Sequence, residues 1–256
     1  MKAFLCAVLP RQVYVYAVLF DIDGTLLHTG GAGQLAFADA FESEFGVGQL
    51  SGEVAFAGRS DRAIAYELMG VHDVPATETN WQRFRHAYLR RLPDALKLRR
   101  GRVLPGVLEL LDALDLLEHP VVGLLTGNLE QGAACKLAHY GLGHRFGFGG
   151  FGDSSHDRCD IAAAALREAE RFAAGRAAPG NGRAIAGAMV IGDTVHDIAC
   201  ARSIQAYAVA VPTGNTPADQ LAAANPDLLL DDLTDPRPVL ERVRAAMQAT
   251  GNGPLP

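Results

Sequence analysis

The apolar run Val18-Leu19-Phe20 stops at two aspartates one residue apart, Asp21 and Asp23, and continues as Gly24-Thr25-Leu26. Apolar side chains in an unbroken run favour a strand that is buried. Two adjacent carboxylates repel each other and resist burial. A buried strand that ends this way presents charge at the rim of a sheet, for a metal ion, a nucleophile or both.

The rest of the chain fits around such a strand, placed at residues 13–20. Further strand candidates lie at 121–125, 188–191, 206–211 and 227–230. Helical spacing places Leu35, Ala38, Phe41 and Phe45 on one face of a helix over 34–45. A second helix begins after Ser60-Asp61, either of which can cap it. A third covers 79–92, with Trp81, Phe84 and Tyr88 on its core face and Pro93 disturbing its end. Pro105-Gly106 opens a leucine-rich helix. Others are expected at 129–139, at 161–172 behind an Asp160 cap, and at 195–202. Residues 175–187, rich in Gly, Ala and Pro, read as a flexible loop, and 251–256 as a frayed tail. Strands alternating with helices imply an α/β fold with a doubly wound, Rossmann-like parallel sheet. Between Thr29 and about Leu98 there are helices and no convincing strand. The helical block 28–100 thus reads as an insertion, with 1–27 and 101–256 making the core.

Composition narrows the function. The chain has 256 residues and a formal charge of −6, which argues against nucleic acid as a partner. It lacks the roughly 18 consecutive apolar residues of a membrane helix. Residues 1–9 faintly imitate a signal peptide, but cleavage there would fall at the edge of the first strand. They are read instead as an irregular extension on a cytoplasmic protein. Cys6, Cys135, Cys159 and Cys200 show no CxxC pairing and read as reduced thiols with no zinc site. Cys135 and Cys200 fall in helices.

Three more segments fall at expected strand ends or between them: Thr126-Gly127-Asn128, Gly192-Asp193-Thr194-Val195-His196-Asp197, and the stretch around Arg158. In open α/β sheets ligands bind at the carboxyl ends of the strands. Folding would therefore gather Asp21, Asp23, Thr126, Arg158, Asp193 and Asp197. Four carboxylates in one crevice call for a cation, and an all-oxygen set suits Mg²⁺. Hydroxyl and backbone N–H groups at Thr126-Gly127 can hold phosphate oxygens. The fork of Arg158 can balance phosphate and carboxylate. One carboxylate can attack phosphorus while another moves the proton. Each feature has a plainer reading when taken alone. Asp23-Gly24 is also a turn signal, Thr126-Gly127-Asn128 also a helix cap, and Arg158 also a surface charge. His28, His156 and His196 are neighbours, since the aspartates already fill the roles.

Asp-Ile-Asp-Gly-Thr-Leu at 21–26, Thr126 after an apolar strand, and Gly192-Asp193-Thr194 with Asp197 together resemble the motifs of the haloacid dehalogenase superfamily of phosphohydrolases. The resemblance implies a small α-helical cap inserted after the first motif. It implies Asp21 as nucleophile and metal ligand, and Asp23 as general acid/base with its backbone carbonyl on the metal. Asp193 and Asp197 would complete the Mg²⁺ site, and Thr126 with the Gly127 and Asn128 backbone would hold the phosphoryl group beside Gly24. The family's usual motif lysine before a helix is absent, and Arg158 stands there instead. Lys136 lies in the helix after Thr126 and is read as solvated. Asp23 argues against dehalogenation, because dehalogenases of the superfamily lack that second carboxylate. Gly58-Arg59-Ser60-Asp61 resembles the substrate-facing loop of phosphoglycolate phosphatase-like and β-phosphoglucomutase-like members, so Arg59 is expected to meet the substrate. The implied activity is a Mg²⁺-dependent phosphatase acting on a small phosphorylated metabolite, phosphoglycolate or a sugar phosphate, as a monomer or homodimer. A β-phosphoglucomutase-like phosphotransferase and a catalytically idle phosphate binder are the rivals.

Overall fold

The computed structural model describes residues 12–118, 120–153, 155–177 and 182–251. The expected N-terminal extension, Cys6 and most of the 251–256 tail lie outside them.

The first strand, β1 (Gln12–Phe20), alternates strictly. Val15, Ala17 and Leu19 point to one face of the sheet and Tyr16, Val18 and Phe20 to the other, each into its own hydrophobic cluster. That two-sided burial is what an all-parallel interior strand requires. β2 (Leu27–His28) follows, then three helices, α1 (Ala32–Phe45), α2 (Asp61–Val71) and α3 (Glu78–Leu98), and then β3 (Arg102–Val103). β2 and β3 pair antiparallel, Leu27 with Val103 and His28 with Arg102, so the chain leaves and re-enters the core through one short ribbon. Between Thr29 and Leu98 the described elements are helices, as expected, and the two short strands lie just outside that stretch.

The remainder runs α4 (Val107–Asp115), β4 (Pro120–Leu125), α5 (Glu130–His139), β5 (Gly149–Gly150), α6 (Arg158–Gly175), β6 (Gly182–Gly192), α7 (Val195–Ser203), β7 (Tyr207–Ala210), α8 (Ala218–Ala223), β8 (Leu228–Leu229) and α9 (Arg237–Gly251). The six-stranded sheet has the order β5-β4-β1-β6-β7-β8, with every pair parallel. β1, β4 and β6 are neighbours, so their carboxyl ends open on one crevice. This is the doubly wound α/β fold.

Three expectations are corrected. Pro93 does not end the third helix. Leu92, Ala95 and Leu96 on either side of it are buried, and burying two leucines gives about 3–6 kcal/mol. That offsets the ~3 kcal/mol cost of an internal proline. Residues 182–187 are strand, not loop, because Gly182–Ile185 pair with Gln12–Val15 and extend the sheet on both strands. The cap of α6 is Asp157, whose carboxylate accepts the Cys159 N–H at 2.7 Å. Asp160 instead accepts from the Ser155 hydroxyl.

The helices α1–α3 bury their own cluster, in which Trp81, Phe84 and Tyr88 are nearly inaccessible and Phe37 contacts both Phe84 and Tyr88. Leu129, at the start of α5, belongs to the same cluster. Cys135, Cys159 and Cys200 are free thiols on helices. Among the described residues no helix is long and apolar enough to cross a membrane.

Candidate active site

β1 delivers Asp21 to the crevice, β6 delivers Asp193, and the first turn of α7 delivers Asp197. Their carboxylate oxygens lie within 4.8 Å of one another, and all three residues are buried. Burial, followed by the charge of Asp197, pushes the Asp21 carboxyl up to about 7 and Asp193 up to about 8. Asp21 and Asp193 therefore hold on to protons near neutral pH. Keeping both of them ionised beside Asp197 needs more positive charge than Arg158 supplies. Buried, all-oxygen and closely spaced, the set fits a hard divalent cation.

Asp197 is held from two sides. Thr194 caps α7, and its N–H and hydroxyl donate to Asp197 Oδ2 at 3.0 and 2.6 Å, closing a capping box. Arg158 donates to Asp197 Oδ1 and reaches to 4.0 Å from Asp21. Burial works against the charge on Arg158, but Asp197 and Asp21 raise its pKa further still. Arg158, the first residue of α6, thus stands between Asp197 and Asp21.

Asp23 lies apart from the triad. Its Oδ2 receives two donors, Lys136 Nζ at 2.5 Å and Asn128 Nδ2 at 2.8 Å. Lys136 also lies 2.5 Å from Asn128 Oδ1. The expectation of a solvated Lys136 is overturned: its side chain is 4% exposed. Burial works against its charge, yet Asp23 and Asp61 raise its pKa overall. The signal was present in the sequence. Lys136 falls seven residues after Leu129 and three after Ala133, on the apolar stripe that α5 turns inward.

The other expected residues divide into two groups. Asp21, Asp23, Gly24, Arg59 and Asp193 line a cavity of about 310 Å³. Thr126, Gly127 and Asn128 do not line it, although Asn128 reaches Asp23. The Thr126 hydroxyl accepts from both the N–H and the side-chain amide of Asn128. Arg59 pairs with Glu67 at 2.5 Å along its own helical insertion. Gly24 has φ +91°, and a Cβ there would overlap the Asp193 carboxylate. The motif glycine is a spacing requirement as well as a turn. Sequence reading missed Gly214, which approaches Asp193 just as closely, and Thr25, whose hydroxyl donates to Asp193 Oδ1 at 3.1 Å.

The loop ahead of α2 seals against the core. The Asp61 N–H donates to Gly127 O at 2.7 Å, and its carboxylate accepts the Leu129 N–H at 2.9 Å. The α5 helix has no side-chain cap of its own, so Asp61 satisfies its first donor from across the crevice. Ser60, not Asp61, caps α2. Gly58 abuts Thr194 and His196, and Arg62 donates to Asp153 O at 3.1 Å. Beyond the carboxylates the cavity is walled by Phe37, Phe56 and Gln34 from the insertion.

Comparison with known proteins gives one consistent result. The haloacid dehalogenase-like hydrolase family matches residues 18–202. No curated protein matches the chain. Among solved structures, a predicted phosphoglycolate phosphatase from Haemophilus somnus 129pt is 20% identical, with TM-score 0.63, over 89% of this chain and 98% of that one. A predicted phosphatase from Clostridium acetobutylicum is 17% identical, with TM-score 0.64, over 90% and 99%. A protein assigned by inference as a β-phosphoglucomutase, from Bacteroides vulgatus, is 20% identical, with TM-score 0.62, over 93% and 92%. At these identities the likeness is one of fold.

Proposed function

The chain belongs to the haloacid dehalogenase-like hydrolase family, and from that premise we propose that it is a Mg²⁺-dependent phosphatase of small phosphorylated metabolites. The observation that carries the reading is the different setting of two carboxylates on one strand end. Asp21 is buried in the acidic triad beside Arg158, and Asp23 is half-exposed to the cavity under the hold of Lys136 and Asn128. Environments that separate two acids assign them separate roles. Asp21 attacks phosphorus and forms an aspartyl-phosphate as the leaving oxygen departs with a proton from Asp23. Asp23 then takes a proton from water, whose oxygen displaces Asp21 from phosphorus.

Asp21, Asp193 and Asp197, with the Asp23 backbone carbonyl, would hold Mg²⁺. When bound it would neutralise the triad and the charge on the phosphoryl oxygens. Thr126 with the Gly127 and Asn128 backbone is the proposed rest for the phosphoryl group. Residues 28–100 act as a cap, and the contacts of Gly58, Asp61 and Arg62 with core loops support a closed arrangement that excludes water. A cavity of about 310 Å³, walled by Phe37 and Phe56, suits a small leaving group such as glycolate or a sugar.

Wild type and Asp21→Asn, each with Mg²⁺, are assayed for phosphate release across a phosphomonoester panel. Wild type is expected to release phosphate from at least one small substrate, and the variant to lose at least about 10³-fold in kcat. Isomerised sugar phosphate without free phosphate would replace the phosphatase by a phosphotransferase. No turnover in either protein would favour an idle phosphate binder.

A further inference from the structure

Lys136 is a buried charge to which the phosphatase reading gives no task. An ammonium group taken out of water costs several kcal/mol unless it is paired and hydrogen-bonded. Here both partners come from the site: Asp23 Oδ2 and Asn128 Oδ1, each 2.5 Å from Nζ. Asn128 completes a triangle. Its Nδ2 donates to the same Asp23 oxygen at 2.8 Å and to Thr126 Oγ1 at 2.8 Å, which ties the amide to the end of β4. Asp23 Oδ2 therefore has two fixed donors, on α5 and on the loop ahead of it. Among the described residues no hydrogen bond reaches Asp23 Oδ1, and the side chain is 40% exposed at the cavity wall.

From this geometry we infer that Lys136 is the positioning residue of the acid/base: together with Asn128 it locks one oxygen of Asp23 so that the other faces the leaving group. Arg158 serves a different carboxylate pair, Asp197 and Asp21. Two cations from two helices thus divide between the two aspartates of the first motif. The leaving oxygen takes its proton from Asp23, and water later returns one to it. Both transfers require a carboxyl oxygen held within hydrogen-bond reach. What Asp23 does rests on the phosphatase reading; where it is held does not.

The test compares wild type, Lys136→Met and Lys136→Ala on p-nitrophenyl phosphate, a good leaving group, and on glycerol phosphate, a poor one. Lys136→Met is expected to lower kcat on glycerol phosphate about 10²-fold with KM within about threefold, and to lose far less on p-nitrophenyl phosphate. In Lys136→Ala, added ethylammonium restores part of the lost rate, and tetramethylammonium at the same ionic strength does not. A crystal structure of Lys136→Met is expected to show Asp23 swung from its place, with Asp21 and Asp193 unmoved. If methionine unfolds the protein, Lys136→Gln, whose amide keeps N–H donors without the charge, gives a smaller loss in the same direction. Equal losses on both substrates with KM rising in step, no ethylammonium rescue, or an unmoved Asp23 would each overturn the inference. Should wild type hydrolyse neither substrate, the phosphatase reading fails, and the position of Asp23 in the Lys136→Met crystal alone decides the inference.

Discussion

Asp61 shows how much one buried carboxylate can ask of its neighbours. It sits in the first turn of α2, yet its carboxylate serves α5 by accepting the Leu129 N–H. Burial raises its pKa from 3.8 to about 6, with Lys136 and the Leu129 N–H acting the other way. Because the folded value is the higher one, the stability linked to this proton is fully present below about pH 4. It is lost as pH rises through about 6. Asp61→Asn keeps an acceptor for Leu129 and removes the proton, so the fall in stability between pH 4 and 6 is expected to flatten. Urea midpoints measured at half-unit pH intervals check this, and an unchanged slope in the variant would reject it. That Asp21, Asp193 and Asp197 come together was legible in the sequence, since carboxylates that close an apolar run are costly to bury unless a cation or ligand compensates them. The partner of Lys136 was not, because Asp23 lies 113 residues away. Helical periodicity shows which face is buried but not what is buried against it.

At the scale of elements, α6 shows why small side chains recur along one stripe. Ala162, Ala165, Ala169 and Ala173 are all buried against the sheet. The approach is so close that a Cβ on Gly150 of β5 would overlap the Ile161 carbonyl and come within 2.9 Å of Ala165. A larger residue has nowhere to go. Ala165→Leu is expected to destabilise by about 1–3 kcal/mol through overpacking. Equilibrium denaturation of the purified variant measures this, and an unchanged midpoint would show that the helix can move. The helix itself was legible from its periodicity, but its start was misplaced by three residues, because Asp157 and Asp160 are both good caps. Tertiary position decided between them: starting at Arg158 places that side chain against Asp197. Pro93 gave the opposite lesson, since local propensity yields where a helix has apolar surface to bury on both sides of the proline.

The whole molecule sets the charge balance of the crevice. The acidic triad draws from β1, β6 and α7, and only the sheet order brings them together. With the Asp21 and Asp193 carboxyls raised to about 7 and about 8 by burial and by Asp197, the metal-free protein keeps protons there that the unfolded chain gives up. Its stability from these groups therefore declines as pH rises from about 4 to about 8. A cation competes with those protons and stabilises the fold by binding it. Mg²⁺ is expected to raise the Tm of wild type, by more at pH 8.5 than at pH 6, and to leave Asp193→Asn nearly unmoved. Thermal scans with Mg²⁺ and with chelator at both pH values test it, and an equal response in the variant would place the ion elsewhere.

The sequence by itself determined the α/β class, the interior strand ending in two aspartates and the run of helices that follows it. Those depend on periodicity and on charge placed beside apolar runs, which are local properties. Tertiary structure alone decided that Lys136 is buried on Asp23, that Arg158 spends its hydrogen bond on Asp197, and that Asp61 caps a helix across the crevice. Each of these is a pairing of charges or dipoles distant in sequence. Coulomb and desolvation energies depend on separation in space, and no local pattern encodes that separation.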